Sequence, residues 1–376
     1  MSEFAAGPAG RIERVRALMA ERGYDAIVVR DEADLRWLTG VKGVFDYTFE
    51  FPHAAFITVD QCLFHTDSRY LNSFEEKTPA GSPWVYDMDE GTIPGWVAVK
   101  IAANKCRVCA VEDDMQINFY QGIQRGLEDR SVACMLPLMH DDIRKMRAIK
   151  DAEEIELMRH AQSITDAAFQ HMLGFIKPGM TEKQVRNELE NFMFANGADS
   201  LAFGSIVASG PNTANPHAVP SDRVIEKGDF VLMDYGAGYC DYRSDMTRTV
   251  VMGEPTQEQL DLYALVRRTH EECVAAIHPG VEGNDIFKLS KKIIGDAGYG
   301  DYYNHGLGHG VGIDIHELPN FNRSKNIIEV GSVITMEPGV YLPGVGGVRL
   351  EDYGVVTENG YEPFTKTPHD LHVIDC

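Results

Sequence analysis

Residues 230–235 read FVLMDY and residues 244–252 read SDMTRTVVM. Both stretches have the apolar, β-branched content of buried strands, and each run meets an aspartate, Asp234 at its end or Asp245 at its start. A carboxylate against an apolar strand costs free energy unless hydrogen bonds or a cation compensate its charge. The two stretches therefore predict buried strands whose carboxylates have a compensating partner.

Three more segments nearer the C-terminus combine strand-like runs with side chains that bind metals. They are HGLGHGVG at 305–312, VITMEPG at 333–339 and VRLE at 348–351. Two Asp, two Glu and one His can together hold two divalent ions, because carboxylates bridge metals and imidazole adds a borderline ligand. This donor set suits manganese or cobalt, with zinc or iron as alternatives, and it differs from a thiolate zinc site.

The chain has 376 residues, which suggests about two domains. The first part alternates helix-like and strand-like patterns and predicts an α/β domain. We expect a helix at 11–22 and strands at 26–29, 54–59, 62–66, 84–86, 108–111 and 133–136. The pattern then changes to an almost continuous helix over 141–175. We place an N-terminal α/β domain at 1–141 and a C-terminal domain at 142–376.

One internal repeat is visible. The sequence IKPG at 176–179 recurs as IHPG at 277–280, an offset of 101 residues. Each copy lies between two helix-like stretches, and the second of each pair ends near a glycine, Gly197 or Gly298. Chance reuse of a Pro-Gly helix stop is the alternative, but the matched order favours a duplicated α+β domain. Related halves would place a functional site at their junction.

The motifs resemble those of the "pita-bread" metallopeptidases of family M24, in particular the proline-specific branch that contains aminopeptidase P and prolidase. The resemblance is carried by NPH at 215–217, MDYG at 233–236, SDMTRT at 244–249, HGLGHGVG at 305–312, HE at 316–317, MEPG at 336–339 and GVRLED at 347–352. Residues 38–40 (LTG) and 66–70 (TDSRY) resemble the creatinase-type N-terminal domain. The resemblance implies a creatinase-type α/β domain followed by a duplicated pita-bread catalytic domain.

The resemblance also implies a role for each matching position. The implied metal ligands are Asp234, Asp245, His309, Glu337 and Glu351. Asp245 and Glu351 would bridge two divalent ions, manganese first, and Glu337 would also transfer a proton. His217 and His316 would donate hydrogen bonds to the substrate. His305 would line the same pocket, and the alternative is a structural histidine bonded to backbone.

Two peptidase activities fit these motifs. An Xaa-Pro aminopeptidase trims longer peptides, whereas an Xaa-Pro dipeptidase (prolidase) must bind a free proline carboxylate. Many microbial dipeptidases have an arginine after His-Glu-x-Pro, where this chain has the uncharged Asn320, although Arg349 is another candidate for the carboxylate. We therefore expect an aminopeptidase, with the dipeptidase as the alternative. Another enzyme on this fold, or a non-catalytic binding module, is disfavoured by the full ligand set.

Composition limits the partners and the compartment. The net charge of −22 repels nucleic acid and anionic membranes, so we expect a proline-containing peptide as partner and neither of those. The N-terminal residues lack the pattern of a secretory signal. Seven dispersed cysteines indicate a reducing, cytoplasmic location, and the C-x-x-C of Cys106 and Cys109 is typical of core packing. The family resemblance implies a homo-oligomer, most simply a dimer.

Overall fold

A computed structural model of the protein describes residues 7–44, 51–88, 91–322 and 325–375. The chain divides into two compact units, Met1–Arg147 and Ala148–Cys376. The domain boundary at 141/142 stays a prediction. Residues 1–6, on which part of the expectation about a secretory signal rests, lie outside the described residues. Within the described ranges, no helix is long and apolar enough to cross a membrane.

The N-terminal unit alternates helices and strands. Its described helices are α1 (Gly7–Arg22), α2 (Glu32–Thr39), α3 (Leu71–Lys77), α4 (Ile93–Ala103), α5 (Ile117–Glu128) and α6 (Asp142–Arg147). Its described strands are β1 (Ala26–Val29), β2 (Ala54–Thr58), β3 (Cys62–His65), β4 (Val85–Asp87), β5 (Cys109–Glu112) and β6 (Leu138–Met139). The strands form one mixed sheet in the order β4-β3-β2-β1-β5-β6. The predicted α/β class is confirmed.

Most predicted strands of this unit fall within a residue or two of the observed ones, but the last is wrong. We expected a strand at 133–136, but the observed strand β6 begins five residues later, at Leu138. Within 133–136, Met135 forms an isolated bridge with Val108. Cys106 and Cys109 are buried in the core beneath the sheet, and both are free thiols. Burial raises the pKa of Cys106 to about 11, so its thiol stays protonated and unreactive at neutral pH.

The expected continuous helix over 141–175 is also wrong, because the chain breaks between α6 and α7. Residues 148–151 leave the helix, where Ile149 pairs with Ser332 and the Lys150 amide donates to the Gly331 carbonyl at 2.9 Å. Asp151 then starts α7 with a capping box, in which its side chain and that of Glu154 each bond the other's backbone amide. Tertiary pairing and a strong N-cap override the helical composition of the segment.

The C-terminal unit mixes helices with short sheets. Its described helices are α7 (Ala152–Phe175), α8 (Glu182–Ala195), α9 (Gln257–Ala275) and α10 (Gly283–Asp296), with 3-10 turns at Gly210–Ala214 and Gly300–Tyr302. Its described strands are β7 (Ser200–Leu201), β8 (Ile206–Ser209), β9 (Phe230–Tyr235), β10 (Ala237–Tyr239), β11 (Tyr242–Arg243), β12 (Met246–Met252), β13 (Gly308–Gly310), β14 (Glu317–Phe321), β15 (Val333–Met336), β16 (Gly339–Leu342), β17 (Gly346–Arg349), β18 (Asp352–Thr357), β19 (Gly360–Pro363) and β20 (Val373–Ile374).

Two sheets of this unit carry the important segments. One has the order β20-β12-β9-β8 and the other has the order β14-β13-β15-β18-β19. β16 and β17 form a separate antiparallel pair, and β11-β10-β7 form a small sheet. The long helices pack an apolar face on the sheets, so that residues such as Phe169 and Val185 share one core cluster with Val231 and Val250.

The sequence repeat is a structural repeat. The α7–Pro-Gly–α8 and α9–Pro-Gly–α10 pairs match in order, and the turn glycines Gly179 and Gly280 have φ values of 92° and 87°. The amide of Gly179 donates to the Ile225 carbonyl at 2.9 Å, and that of Gly280 donates to the Ile328 carbonyl at 2.7 Å. Each turn also lies beside an equivalent isolated bridge, Thr181 with Val224 and Glu282 with Ile327, so the structure confirms the predicted duplicated α+β domain.

Candidate metal centre

The first half of the repeat contributes two carboxylates through paired strands. Asp234 is near the end of β9, and Asp245 immediately precedes β12. β9 and β12 run antiparallel, with Thr247 opposite Asp234. The end of one strand therefore meets the start of the other, which brings two residues eleven positions apart to one edge of the sheet.

The second half contributes the other three candidate ligands. His309 is the central residue of β13, between the glycines at 308 and 310. Glu337 follows the last residue of β15, and Glu351 lies in the connection between β17 and β18. At Gly308 a Cβ would lie 2.3 Å from the Thr335 carbonyl oxygen, so only glycine allows β13 to pack this close to β15.

The structure brings these side chains together. Ligand atoms of Asp245, His309 and Glu351 all lie within 4.8 Å of one another. The Nε2 atom of His309 is 3.6 Å from Oδ2 of Asp245 and 3.7 Å from Oε1 of Glu337. Asp234 is close enough for its charge to raise the pKa values of Asp245, Glu337 and Glu351. All five predicted ligands thus occupy one cluster, although Asp234 and Glu351 are 117 residues apart.

Burial and mutual repulsion disfavour the ionised forms of these carboxyl groups. Burial raises the pKa of Asp245 well above its ordinary value, and the negative charge of Glu351 is the second largest cause. Burial also raises the pKa of Glu351 well above its ordinary value, and the negative charge of Glu337 is the second largest cause. Burial raises the pKa of Glu337 to about 8, and the positive charge of Arg349 only partly offsets this. Four carboxylates this close together, two of them buried and two half-buried, need cations if they are to remain ionised together.

Two atoms of the cluster fit a divalent cation. Oδ1 of Asp234 is buried and has no hydrogen-bond partner among the described residues. Nδ1 of His309 is 3.0 Å from the Gly310 carbonyl, so it carries the hydrogen and Nε2 presents its lone pair toward Asp245 and Glu337. Burial lowers the pKa of His309 to about 4 and keeps the ring neutral at neutral pH. A neutral imidazole among carboxylates is a donor set for divalent transition ions.

Arg349 and two residues that the sequence reading missed fix these ligands. Arg349 donates from Nη2 to Oδ2 of Asp234 at 2.6 Å, from Nε to Oγ1 of Thr247 at 3.0 Å and from Nη1 to the Tyr341 hydroxyl at 2.9 Å. Thr247 in turn donates to Oε2 of Glu351 at 2.7 Å. Thr247 follows Asp245 by two residues on one strand face, which was a usable signal. Nothing in the sequence singled out Tyr341.

The three predicted substrate-side histidines differ in their surroundings. The rings of His316 and His309 pack at a centroid distance of 4.4 Å, and His316 is exposed. His217 is also exposed, and burial, together with the neighbouring charge of His217, lowers the pKa of His316. His305 donates from Nδ1 to the Gly306 carbonyl at 2.7 Å, and its Nε2 accepts from the Tyr341 hydroxyl at 2.8 Å.

The two other residues predicted to bind the substrate, Arg349 and Asn320, lie in different settings. Arg349 is 2% exposed, and its guanidinium already bonds Asp234 and the neighbours described above. Asn320 is half-buried on β14, and among the described residues no hydrogen bond joins its side chain to the ligand cluster. Asn326 donates to the backbone oxygen of Asn320 at 3.4 Å.

A buried ion pair braces the loop that carries His316. Lys150 donates from Nζ to Oε2 of Glu317 at 2.9 Å, and both side chains are at most 5% exposed. The other oxygen of Glu317 accepts the Asp314 amide at 3.0 Å. Glu317 therefore closes the loop on itself, and we infer that it limits where the adjacent His316 ring can lie.

Comparison with known proteins agrees with this arrangement. Metallopeptidase family M24 matches residues 156–358, and the Creatinase/Prolidase N-terminal domain matches residues 11–149. An Xaa-Pro dipeptidase of Pyrococcus furiosus is 43% identical over 232 residues, which cover 61% of this chain and 67% of the relative.

Solved structures of similar proteins cover almost the whole chain. The Xaa-Pro dipeptidase from Bacillus anthracis has a TM-score of 0.89 at 36% identity and covers 98% of this chain and 100% of its own. The X-Pro aminopeptidase from Thermotoga maritima has a TM-score of 0.85 at 30% identity, with 97% and 100% covered.

A buried carboxylate–histidine cluster built from both halves of a duplicated α+β fold defines the class of pita-bread metallopeptidases. The chain belongs to metallopeptidase family M24 and carries a Creatinase/Prolidase N-terminal domain. The resemblance seen in the sequence motifs is thereby confirmed. Membership implies that the protein is an enzyme that uses divalent metal ions.

Proposed function

We propose that the protein is an Xaa-Pro dipeptidase that hydrolyses the bond before a C-terminal proline with two divalent ions, manganese first. The observation that carries the proposal is that ligand atoms of Asp245, His309 and Glu351 lie within 4.8 Å of one another. Glu337 lies beside His309, and Asp234 is close enough for its charge to affect the pKa of Asp245. The names of two relatives, the dipeptidases of Pyrococcus furiosus and Bacillus anthracis, support the substrate class.

Charge balance supports two ions rather than one. The proposed ligands contain four carboxylates, and Arg349 neutralises only one of them through its contact with Asp234. A single divalent cation would therefore leave a buried negative charge, whereas a second removes it and favours an anionic nucleophile. In this proposal Asp245 and Glu351 would be shared by both ions, as the family resemblance implies, and His309 would supply the one nitrogen ligand.

Such ions supply nucleophilic water at neutral pH and polarise the scissile carbonyl. Glu337 accepts the proton of the attacking water and passes it to the departing proline nitrogen, which must be protonated to leave. Burial raises the pKa of this carboxyl group, and bound cations would favour the ionised form that can accept the proton. His217 and His316 donate hydrogen bonds to the substrate oxygens. His305, held by the hydroxyl of Tyr341, would line the same pocket.

An Xaa-Pro aminopeptidase is the second candidate, and it was the first choice on sequence grounds. The observation in its favour is Asn320, which offers no charge to a free proline carboxylate. The resemblance to the Thermotoga maritima X-Pro aminopeptidase also supports it. The relatives favour the dipeptidase, because the higher identities and the higher TM-score belong to proteins with that name.

The first experiment asks whether the protein is a metal-dependent Xaa-Pro hydrolase. Protein stripped with a chelator is assayed on an Xaa-Pro dipeptide before and after manganese is restored. The proposal requires turnover that disappears with the chelator and returns with manganese. Turnover that is unaffected by the chelator contradicts it.

Assembly and location are further parts of the proposal. We propose a cytoplasmic homodimer, by resemblance to the family and from the dispersed cysteines. Light scattering tests the assembly, and a species of only 41.8 kDa would contradict the dimer.

A further inference from the structure

A second histidine–carboxylate cluster lies outside the roles described above. His270 is on α9, Asp352 is the first residue of β18, and His369 lies in the segment that precedes β20. One ligand atom from each residue lies within 4.8 Å of the others. Three elements distant in the sequence thus present two imidazoles and a carboxylate to one point.

His270 is the unusual member of this cluster. The residue is 1% exposed, and neither of its ring nitrogens has a hydrogen-bond partner within the described part of the chain. Its Nε2 atom is 3.7 Å from Oδ2 of Asp352, so the unpartnered nitrogen faces the carboxylate. A buried polar atom without a partner costs free energy, and this one is directed at two other ligand-type groups.

His369 gives the cluster a route to solvent. Its Nε2 atom is 2.6 Å from Oδ2 of Asp352, and its side chain is 27% exposed. The rings of His270 and His369 meet edge to face, with centroids 4.8 Å apart and an interplanar angle of 74°. An ion could therefore enter past His369 and reach the buried ring behind it.

The surrounding hydrogen bonds hold the cluster in place. Arg248 donates from Nη2 to Oδ1 of Asp352 and to the Thr367 carbonyl, both at 2.7 Å. The Tyr263 hydroxyl donates to the His369 carbonyl at 3.1 Å. Oδ1 of Asp352 is thus occupied by Arg248, and Oδ2 is the oxygen that faces both histidines.

We propose that His270, Asp352 and His369 form a further binding site for a borderline divalent ion of the zinc class, separate from the M24 metal centre. Two imidazoles and one carboxylate are a common zinc donor set with a coordination position left open. Binding requires Nε2 of His369 to release its hydrogen bond to Asp352 and to present a lone pair, with the hydrogen carried on Nδ1. Burial lowers the pKa of His270 to about 4, so this ring is already neutral at neutral pH.

The bound ion would join α9, the start of β18 and the C-terminal segment. A ligand that binds only the folded protein stabilises it, and the stabilisation grows with the logarithm of the free ligand concentration once that exceeds Kd. We therefore infer a stabilising site rather than a catalytic one.

The test counts zinc ions. Wild-type protein and the variants His369→Ala and His270→Gln are dialysed against free Zn²⁺, and bound zinc is measured by elemental analysis. His278→Ala, which removes an exposed imidazole elsewhere, is the matched control. We expect the cluster variants to bind one equivalent fewer than wild type and the control, or to bind that equivalent at least about 10-fold more weakly. The zinc-dependent rise in melting temperature should fall in the same two variants.

A comparison of Asp245→Ala with His369→Ala separates this site from the main centre. Asp245→Ala should lose zinc from the main centre yet keep the equivalent that His369→Ala removes. Equal zinc binding and equal thermal shifts in wild type and His369→Ala would overturn the proposal. Since the His369 side chain is partly exposed, this variant decides the question even if His270→Gln fails to fold.

Discussion

Arg349 and Asp234 form a buried ion pair at the edge of the candidate metal centre, with Nη2 2.6 Å from Oδ2 and side chains that are 2% and 13% exposed. The same guanidinium bonds Thr247, which bonds Glu351. One cation therefore fixes the orientation of a candidate ligand from each half of the duplicated domain. The other oxygen of Asp234 is left for a metal ion.

Arg349→Lys should weaken metal binding without removing the positive charge. Lysine carries its N–H donors on a single nitrogen and lacks the planar fork that reaches Asp234, Thr247 and Tyr341 together, so Asp234 and Thr247 lose their fixed orientation. We expect the manganese concentration for half-maximal activity to rise by about 10- to 100-fold. Arg267→Lys, on the exposed surface of α9, is the control. An unchanged manganese requirement in Arg349→Lys would show that the ion pair does not orient the ligands.

Asp245→Ala should abolish turnover, because it removes the carboxylate proposed to be shared by both ions. Metal content and rate are measured on the same preparation. Asp261→Ala, at an exposed position of α9, is the control. The variant should bind fewer ions at the main centre and show no turnover above background. An active variant with full metal occupancy would exclude the bridging role.

Metal-free protein should lose stability as the pH rises above neutrality. Glu337 has its pKa raised to about 8 by burial, and the pKa values of Asp245 and Glu351 are also raised, so the folded state holds protons that the unfolded state releases near its ordinary carboxyl pKa. The free energy of unfolding therefore falls as the pH increases from the unfolded-state pKa of these groups to their folded-state pKa. Between about pH 7 and 8.5, where histidines are mostly neutral in the unfolded chain, the melting temperature should therefore decrease.

Manganese provides the control for that experiment. Bound cations stabilise the ionised carboxylates, so the decrease should be smaller or absent in the metal-loaded protein. Differential scanning calorimetry of both forms across the same pH range makes the comparison. A metal-free melting temperature that is constant or rises from pH 7 to 8.5 would contradict the account of the buried carboxyl groups.

The sequence predicted this site better than it predicted its surroundings. The four candidate carboxylate ligands were visible because each is a charged residue beside an apolar strand, as with Asp234 after residues 230–233. Tyr341 was not visible, because a hydroxyl costs little in a strand and gains its role only from a distant partner such as Arg349, and the only signal for Thr247 was its spacing of two residues from Asp245. The break before α7 was missed for a related reason, since Ile149 leaves the helix to pair with Ser332, 183 residues away.

Asn320→Arg should raise the preference for dipeptides over tripeptides. A fixed cation near the proline carboxylate gains a charge-assisted hydrogen bond with a dipeptide and is left unpaired by a longer peptide. We expect the ratio of the two kcat/KM values to increase by about 10-fold. Asn359→Arg, in the exposed turn between β18 and β19, is the matched control. An unchanged ratio would show that position 320 lies away from the carboxylate.

The most direct test of the proposed function compares Ala-Pro with Ala-Pro-Ala on the manganese-loaded wild-type protein. A dipeptidase should cleave Ala-Pro with a kcat/KM at least about 10-fold higher than that for the tripeptide, because the extended chain removes the free proline carboxylate. Equal or faster cleavage of Ala-Pro-Ala would contradict the dipeptidase and support the aminopeptidase. Cleavage of neither peptide would contradict both.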